Sequence, residues 1–193
     1  CTRCGTTRTE AIPAPPCSSK NLTDVPAPDN WAHPGIDYCV RSGLMSGVGG
    51  GRFAPKDTTT RAQVVQILYN LAGGPKTTGT TPFTDLTQDW YKDAVLWAYQ
   101  AGVVAGTSET TFAPEAPVTR EQFAVLLMEY ASRVLKPART WTPADLSRFP
   151  DNGGVSDWAR DALADAVALG LISGTTDSNG TAWLSPQGSA TRE

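Results

Sequence analysis

The sequence predicts a mainly helical protein assembled from three copies of one helix-loop-helix unit. Recurring motifs, helix-start signals and helix-ending glycines carry this prediction. In the first copy, Trp31 stands 12 residues before Gly43, which stands four residues before Gly47. The same spacing recurs in the second and third copies, at Trp90, Gly102 and Gly106 and at Trp158, Gly170 and Gly174. Ordered recurrence at intervals of about 60 to 70 residues is the signature of a repeat protein.

The rest of each unit follows the same plan. A short motif with an aromatic residue or leucine and a proline, at 53–55, 112–114 and 184–186, precedes a Thr-Arg pair. The arginine of each pair stands six residues after the proline, at Arg61, Arg120 and Arg192. An aspartate precedes each tryptophan by five or seven residues, at Asp24, Asp85 and Asp151.

Each unit is expected to hold two helices. The first opens at an N-cap just before the tryptophan, at Asn30, Asp89 or Asp157, and ends at the first glycine. The second opens with a capping box, at Thr60 with Gln63 and at Thr119 with Gln122. The second helices carry the apolar stripes Val64, Ile67, Leu68 and Leu71, and Phe123, Leu126, Leu127 and Tyr130. One helix pair cannot bury such stripes alone, so the units are expected to pack on one another.

The chain divides at stretches rich in proline, threonine and glycine. We expect a peripheral extension at 1–20, repeat 1 at 21–73, a linker at 74–82, repeat 2 at 83–135, a linker at 136–148 and repeat 3 at 149–193. Repeat 3 stops at Glu193, before a second helix.

Composition excludes several functions. Of 193 residues 40% are hydrophobic, and the net charge of −3 offers no basic surface for nucleic acid. No apolar run is long enough to span a bilayer. With one histidine and carboxylates that recur with the repeat, the sequence predicts no catalytic site and no cofactor.

These motifs together resemble the S-layer homology family over residues 21 to 193. The aromatic-x-Asp start is matched by 83–85 and 149–151, whereas 22–24 begins with leucine. Gln63 and Gln122 stand where the family has glutamate. The resemblance implies a three-pronged, pseudo-threefold bundle on a bacterial surface. It also implies secretion and non-covalent anchoring to a secondary cell-wall polysaccharide, often bearing pyruvylated N-acetylmannosamine. The alternatives are a structural subunit of a surface layer or filament and a protein-binding surface module.

The motif arginines are the first candidates for the polymer-binding residues. Arg61, Arg120 and Arg192 stand at or before a helix start, where the helix dipole disfavours a cation. An anion held jointly by the guanidinium and by free backbone N–H groups compensates for that placement. A salt bridge to the repeat aspartates Asp24, Asp85 or Asp151 compensates equally well.

The repeat tryptophans and second glycines have two interpretations each. Trp31, Trp90 and Trp158 offer a flat face to a sugar ring, or pin the first helix to the core. Gly47, Gly106 and Gly174 allow close approach of a ligand, or form turns with positive φ.

Three cysteines crowd the start of the chain. Cys1, Cys4 and Cys17 fit part of a zinc knuckle, part of an upstream module or a disulfide. A fourth ligand is missing, because the only histidine, His33, belongs to another segment.

Overall fold

The computed structural model describes residues 17–138 and 140–193, and the prediction of a mainly helical fold is confirmed. The α-helices are α1 (His33–Arg41), α2 (Arg61–Leu71), α3 (Lys92–Gln100), α4 (Arg120–Tyr130) and α5 (Arg160–Ala168). The strands β1 (Thr175–Thr176) and β2 (Ala182–Trp183) pair antiparallel inside the third unit.

The second helices of units 1 and 2 begin as the sequence predicts. At α2, the Thr60 hydroxyl accepts from the Gln63 N–H at 3.4 Å, and Gln63 Oε1 accepts from the Thr60 N–H at 3.2 Å. The same reciprocal pair caps α4 through Thr119 and Gln122. A glutamine amide oxygen therefore performs the capping in both units, because the cap needs an acceptor and not a charge.

The first helices begin later than predicted. In units 2 and 3, 3-10 turns at Asp89–Tyr91 and Asp157–Ala159 precede α3 and α5, and α1 begins only at His33. The buried Tyr91 holds the turn of unit 2, since its hydroxyl accepts from the backbone N–H of Thr87 and Gln88. The predicted helix ends are confirmed: Gly43, Gly102 and Gly170 have φ of 67°, 71° and 68°.

The second helix of one unit packs against the first helix of the next, α2 on α3 and α4 on α5. Val64, Val65 and Leu68 of α2 are buried in the core that includes Trp97 of α3. Leu71 was wrongly assigned to this stripe, because its side chain is 48% exposed. In α4, Leu126 and Tyr130 are buried, and Phe123 and Leu127 are partly buried.

Three backbone hydrogen bonds join all three units in a closed ring just before the Thr-Arg motifs. The Thr59 N–H donates to Ala190 O at 2.8 Å, the Ala190 N–H to Val118 O at 2.8 Å, and the Val118 N–H to Thr59 O at 2.9 Å. Val118 and Thr59 are buried. Each unit thus gives one donor and one acceptor to its neighbours. The ring fixes the position of the backbone just before each motif arginine.

Two segments depart from the common plan of the units. A π-helical turn at Ala131–Leu135 extends α4 and ends at Lys136, which has a left-handed φ of 47°. In the third unit, β1 and β2 form a hairpin across the inserted residues.

Part of the predicted N-terminal extension packs on the first unit. The backbone N–H groups of Ser18 and Ser19 donate to the Asp37 carboxylate of α1, and Ser19 is buried. Residues 1–16 lie outside the described residues. The peripheral position proposed for them stays a prediction.

Burial on α2 gives a direct test of this packing. Leu68→Ala removes a side chain that is 1% exposed, and should lower the free energy of unfolding by about 2–5 kcal/mol. Leu71→Ala is the control, with the same chemistry on the same helix, and should change it by less than about 0.5 kcal/mol. Urea denaturation measures both, and equal losses would contradict the observed orientation of α2.

Candidate functional site

The repeat aspartates hold the loops that follow the second glycine. The Asp24 carboxylate accepts from the backbone N–H of Phe53 at 2.6 Å and of Ala54 at 2.9 Å. Asp85 binds Phe112 and Ala113 in the same way, at 2.9 and 2.7 Å. In the third unit Asp151 binds Leu184 and Ser185, at 3.0 and 2.7 Å.

Each aspartate stabilises a strained residue. Ala54, Ala113 and Ser185 have φ of 57°, 59° and 50°, a backbone region that residues other than glycine rarely adopt. Hydrogen bonds from Phe53 and Ala54 lower the pKa of Asp24. Burial raises the pKa of Asp85, but the hydrogen bonds from Phe112 and Ala113 outweigh it, so the net pKa is lowered.

Each motif arginine contacts the loop that the repeat aspartate of the next unit holds. Arg61 Nε donates to Phe112 O at 2.9 Å, and its Nη2 donates to Ala105 O at 3.0 Å. Arg120 binds Leu184 O and Ser173 O at 2.8 and 2.6 Å. Arg192 of unit 3 returns to unit 1, at 2.8 Å from both Phe53 O and Ser46 O.

A salt bridge to a repeat aspartate was the alternative partner considered for each motif arginine. The guanidinium groups bind carbonyl oxygens instead, so that alternative is wrong. No ion pair within the described residues joins Arg61, Arg120 or Arg192 to a repeat aspartate. The backbone N–H groups at the helix starts are also occupied, since those of Arg61 and Arg120 donate to Ala116 O and Gly188 O. A guanidinium has five N–H donors, of which these contacts use two. Burial lowers the pKa of Arg61, and the nearby Asp85 carboxylate opposes this shift.

The second glycines are needed for close packing of the chain on itself. None of the three has the positive φ of the turn interpretation, which is therefore wrong. A Cβ at Gly106 would lie 2.2 Å from Ser108 O and 2.6 Å from the Phe83 ring. At Gly47 and Gly174 it would lie 2.8 Å from Arg52 O and 2.9 Å from the Phe149 ring.

The repeat tryptophans lie on the surface. The residues Trp31, Trp90 and Trp158 are 75%, 48% and 60% exposed, so the core interpretation is wrong. Trp97, which does not belong to the repeat pattern, is buried instead. Three flat apolar faces are thus accessible to a ligand.

An open groove of about 720 Å³, here called the first groove, brings several candidates together. It lies between the loop of unit 1 and α2, and Gly47, Trp90 of unit 2 and Arg192 of unit 3 line it. Polar side chains of α2 complete its wall: Gln63, Gln66 and Asn70. Sequence reasoning missed these three, although their spacing places them on one helix face.

A smaller cavity of about 430 Å³, the second groove, lies between α4 and α5. Trp158 lines it, as do the carboxylates of Glu129, Asp161 and Asp165. Arg61, Arg120, Gly106 and Gly174 line neither groove, and Trp31 stands apart from both.

Comparison with known proteins matches this arrangement to one family. The model of the S-layer homology domain matches residues 21–65, 82–124 and 148–193. The chain belongs to the S-layer homology family. The three matches confirm the three repeats predicted from the motifs.

The relatives of this S-layer homology chain include surface-layer proteins and enzymes. It is 32% identical to a surface-layer 125 kDa protein of Lysinibacillus sphaericus over 93% of this chain and 14% of that protein. It is 28% identical to an S-layer protein of Bacillus licheniformis over 82% of this chain and 17% of the relative. An endoglucanase of a Bacillus strain is 30% identical over 85% of this chain and 17% of the enzyme. The chain thus spans less than a fifth of each relative.

One cysteine of the S-layer homology chain lies close to the histidine, although the two residues belong to different segments of the sequence. Cys17 Sγ lies 3.6 Å from His33 Nε2, and His33 Nδ1 lies 2.7 Å from Pro26 O. Cys1 and Cys4 lie outside the described residues, so metal binding by Cys1, Cys4 and Cys17 stays a prediction. The described residues hold no group of three or more side chains placed for a metal ion. None of their helices is long and apolar enough to cross a membrane.

The paired hydrogen bonds that Asp24, Asp85 and Asp151 accept from the loops, here called the aspartate clamp, predict a specific loss of stability. Asp85→Asn removes the charge and one of the two acceptor oxygens that bind Phe112 and Ala113, and should cost about 1.5–3 kcal/mol of unfolding free energy. Glu109→Gln, in an exposed loop, is the matched control and should change it little.

The clamp also predicts a pH dependence. Because the pKa of Asp85 is lower in the folded than in the unfolded chain, its contribution is complete above about pH 4 and is lost on acidification. Between pH 7 and pH 3, the melting temperature should fall less steeply for Asp85→Asn than for the unaltered protein. An equal dependence of the two melting temperatures on pH would contradict the clamp.

Proposed function

We propose that the chain anchors a secreted bacterial surface protein to the envelope by binding an anionic secondary cell-wall polysaccharide. The ligand group is the carboxylate of a pyruvylated sugar, and the chain itself catalyses nothing. Membership of the S-layer homology family and the printed names of the relatives, surface-layer proteins among them, support anchoring at the cell surface.

The observation that carries the proposal is the first groove. A half-buried arginine, an exposed tryptophan and a small residue, Arg192, Trp90 and Gly47, come from three units to line one open groove. A guanidinium binds a carboxylate through two parallel hydrogen bonds, and a tryptophan face packs against a sugar ring. Arg192 keeps three N–H donors that make no other hydrogen bond within the described residues.

The architecture of the anchor follows from the hydrogen-bonded ring. We propose that the units form a pseudo-threefold, three-pronged bundle with the Thr-Arg segments at its axis. The ring through Thr59, Val118 and Ala190 supports this arrangement, because its hydrogen bonds run in the same sense around all three units.

Arg61 and Arg120 belong to the proposed binding surface by analogy with Arg192. Their guanidinium groups make the same pair of carbonyl contacts with the next loop. Gly106 and Gly174, with Trp158 and Trp31, are further candidates, because they occupy the same positions of the repeat as Gly47 and Trp90. Each arginine then has two roles, since it joins two units and presents its remaining donors to the polymer.

Co-sedimentation with purified bacterial walls that carry a pyruvylated polysaccharide tests the proposal. The protein should sediment with intact walls, and removal of the pyruvyl groups should weaken binding about tenfold to hundredfold. This range corresponds to the loss of one charge-assisted contact of about 1.5–3 kcal/mol. Walls stripped of all secondary polysaccharide control for adhesion to peptidoglycan.

Unchanged binding to walls without pyruvyl groups would contradict the proposed ligand. Sedimentation of the protein alone, without walls, would favour the alternative of a structural subunit that assembles by protein contacts.

A further inference from the structure

We propose that one zinc ion fastens the N-terminal extension to α1 and is bound by Cys1, Cys4, Cys17 and His33. The proposal goes beyond the anchoring function and does not depend on it. Two independent observations carry it. The sequence spaces Cys1 and Cys4 as a Cys-x2-Cys pair, and the structure brings Cys17 and His33 together.

The Cys17 sulphur and the His33 ring stand at the separation that a shared zinc ion requires. Cys17 Sγ lies 3.6 Å from His33 Nε2. Tetrahedral zinc binds sulphur at about 2.3 Å and imidazole nitrogen at about 2.0–2.1 Å, which places two such ligand atoms about 3.5–3.6 Å apart. Both residues are only partly buried, so an ion can reach the pair from solvent.

The other ring nitrogen of His33 fixes the tautomer of the ring. Nδ1 lies 2.7 Å from the carbonyl oxygen of Pro26, which can only accept a hydrogen bond, so Nδ1 carries the proton. Nε2 of the neutral ring then presents its lone pair to Cys17. Histidines that bind metal ions almost always donate their second ring N–H to a carbonyl or a carboxylate in this way.

Asp37 holds Cys17 beside the histidine. His33 and Asp37 are four residues apart on α1 and therefore lie on the same face of the helix. The backbone N–H groups of the two residues after Cys17 donate to Asp37 Oδ1, the second of them at 2.9 Å. Arg41 Nη1 donates to Oδ2 at 3.3 Å, so the carboxylate is occupied and supports the site without binding the ion.

Cys1 and Cys4 complete the proposed ligand set. They lie outside the described residues, and their spacing is that of zinc sites in which a Cys-x2-Cys pair gives two thiolates to one ion. The 12 residues between Cys4 and Cys17 can extend to about 40 Å, so the chain is long enough to bring the pair to His33. Three thiolates and one imidazole form a Cys3His set, which is typical of structural zinc sites.

A disulfide would use these side chains less completely. Two of the three N-terminal cysteines would pair, the third would remain a thiol, and His33 would have no part in the bond. A zinc ion uses all four side chains. The same ligand set favours zinc over Mg²⁺ and Ca²⁺, because those ions bind oxygen ligands.

Equilibrium dialysis of the reduced chain against Zn²⁺, followed by elemental analysis, tests the proposal. We expect one zinc ion per unaltered chain. Cys4→Ser, Cys17→Ser and His33→Gln should each weaken binding more than about a hundredfold, since even the hydrogen-bond partner of a ligand contributes about 10–100-fold. Glutamine keeps a donor for Pro26 O but has no ring nitrogen. Cys39→Ala is the matched control, which removes a cysteine of α1 and should leave binding unchanged.

The zinc-bound protein gives a second measurement that needs no variant. X-ray absorption at the zinc edge should show three sulphur atoms at about 2.3 Å and one nitrogen atom at about 2.0–2.1 Å. A shell of oxygen, or of sulphur alone, would overturn the proposal. So would a reduced chain that binds no zinc, zinc binding that survives in His33→Gln, or loss of binding in Cys39→Ala. Thermal melts establish that each variant is folded.

Discussion

The fold depends on the way each motif arginine joins its own unit to the loop of the next. The guanidinium donates to two carbonyl oxygens across the unit boundary, and the third arginine returns to the first unit. A ring of three backbone hydrogen bonds lies directly before these arginines. Contacts that close on themselves hold each unit from both sides, so no unit is placed by one neighbour alone. A helix pair too small to bury its own apolar stripe gains its core in this way.

The same constraint creates the candidate site. Arg192 binds the carbonyl oxygens of Ser46 and Phe53, beside the strained residue that the aspartate of unit 1 stabilises. The loop in turn forms one wall of the first groove, opposite α2. We therefore expect stability and binding to be coupled at the arginine: its carbonyl contacts hold the units together, and its remaining donors are the ones proposed to bind the ligand. A variant at this position needs both a melting and a binding measurement.

Local signals were sufficient for the helices and the repeat. Capping boxes and left-handed glycines depend on residues a few positions apart, so Thr60, Gln63 and Gly43 were predictable from the sequence. The aspartates were recognised by spacing, but their backbone partners lie almost 30 residues away in the chain. The exposure of Leu71 and of the tryptophans depends on the adjacent unit, which no helical period reveals.

The difference between the two grooves was also beyond the sequence. The repeat makes the units equivalent, whereas Asn70 binds Gln66 in the first unit and Glu129, at the same place in the second, pairs with Arg133. The proximity of Cys17 to His33 is similar, since 16 residues and a turn separate them in the chain. Such features arise where one unit departs from the repeat.

Nuclear magnetic resonance of the protein with the methyl glycoside of pyruvylated N-acetylmannosamine tests the central claim most directly. The account predicts that the indole N–H resonance of Trp90 shifts with saturable dependence on sugar concentration. The same sugar without its pyruvyl group should bind much more weakly. A Trp90 resonance that stays unchanged throughout the titration would contradict the account.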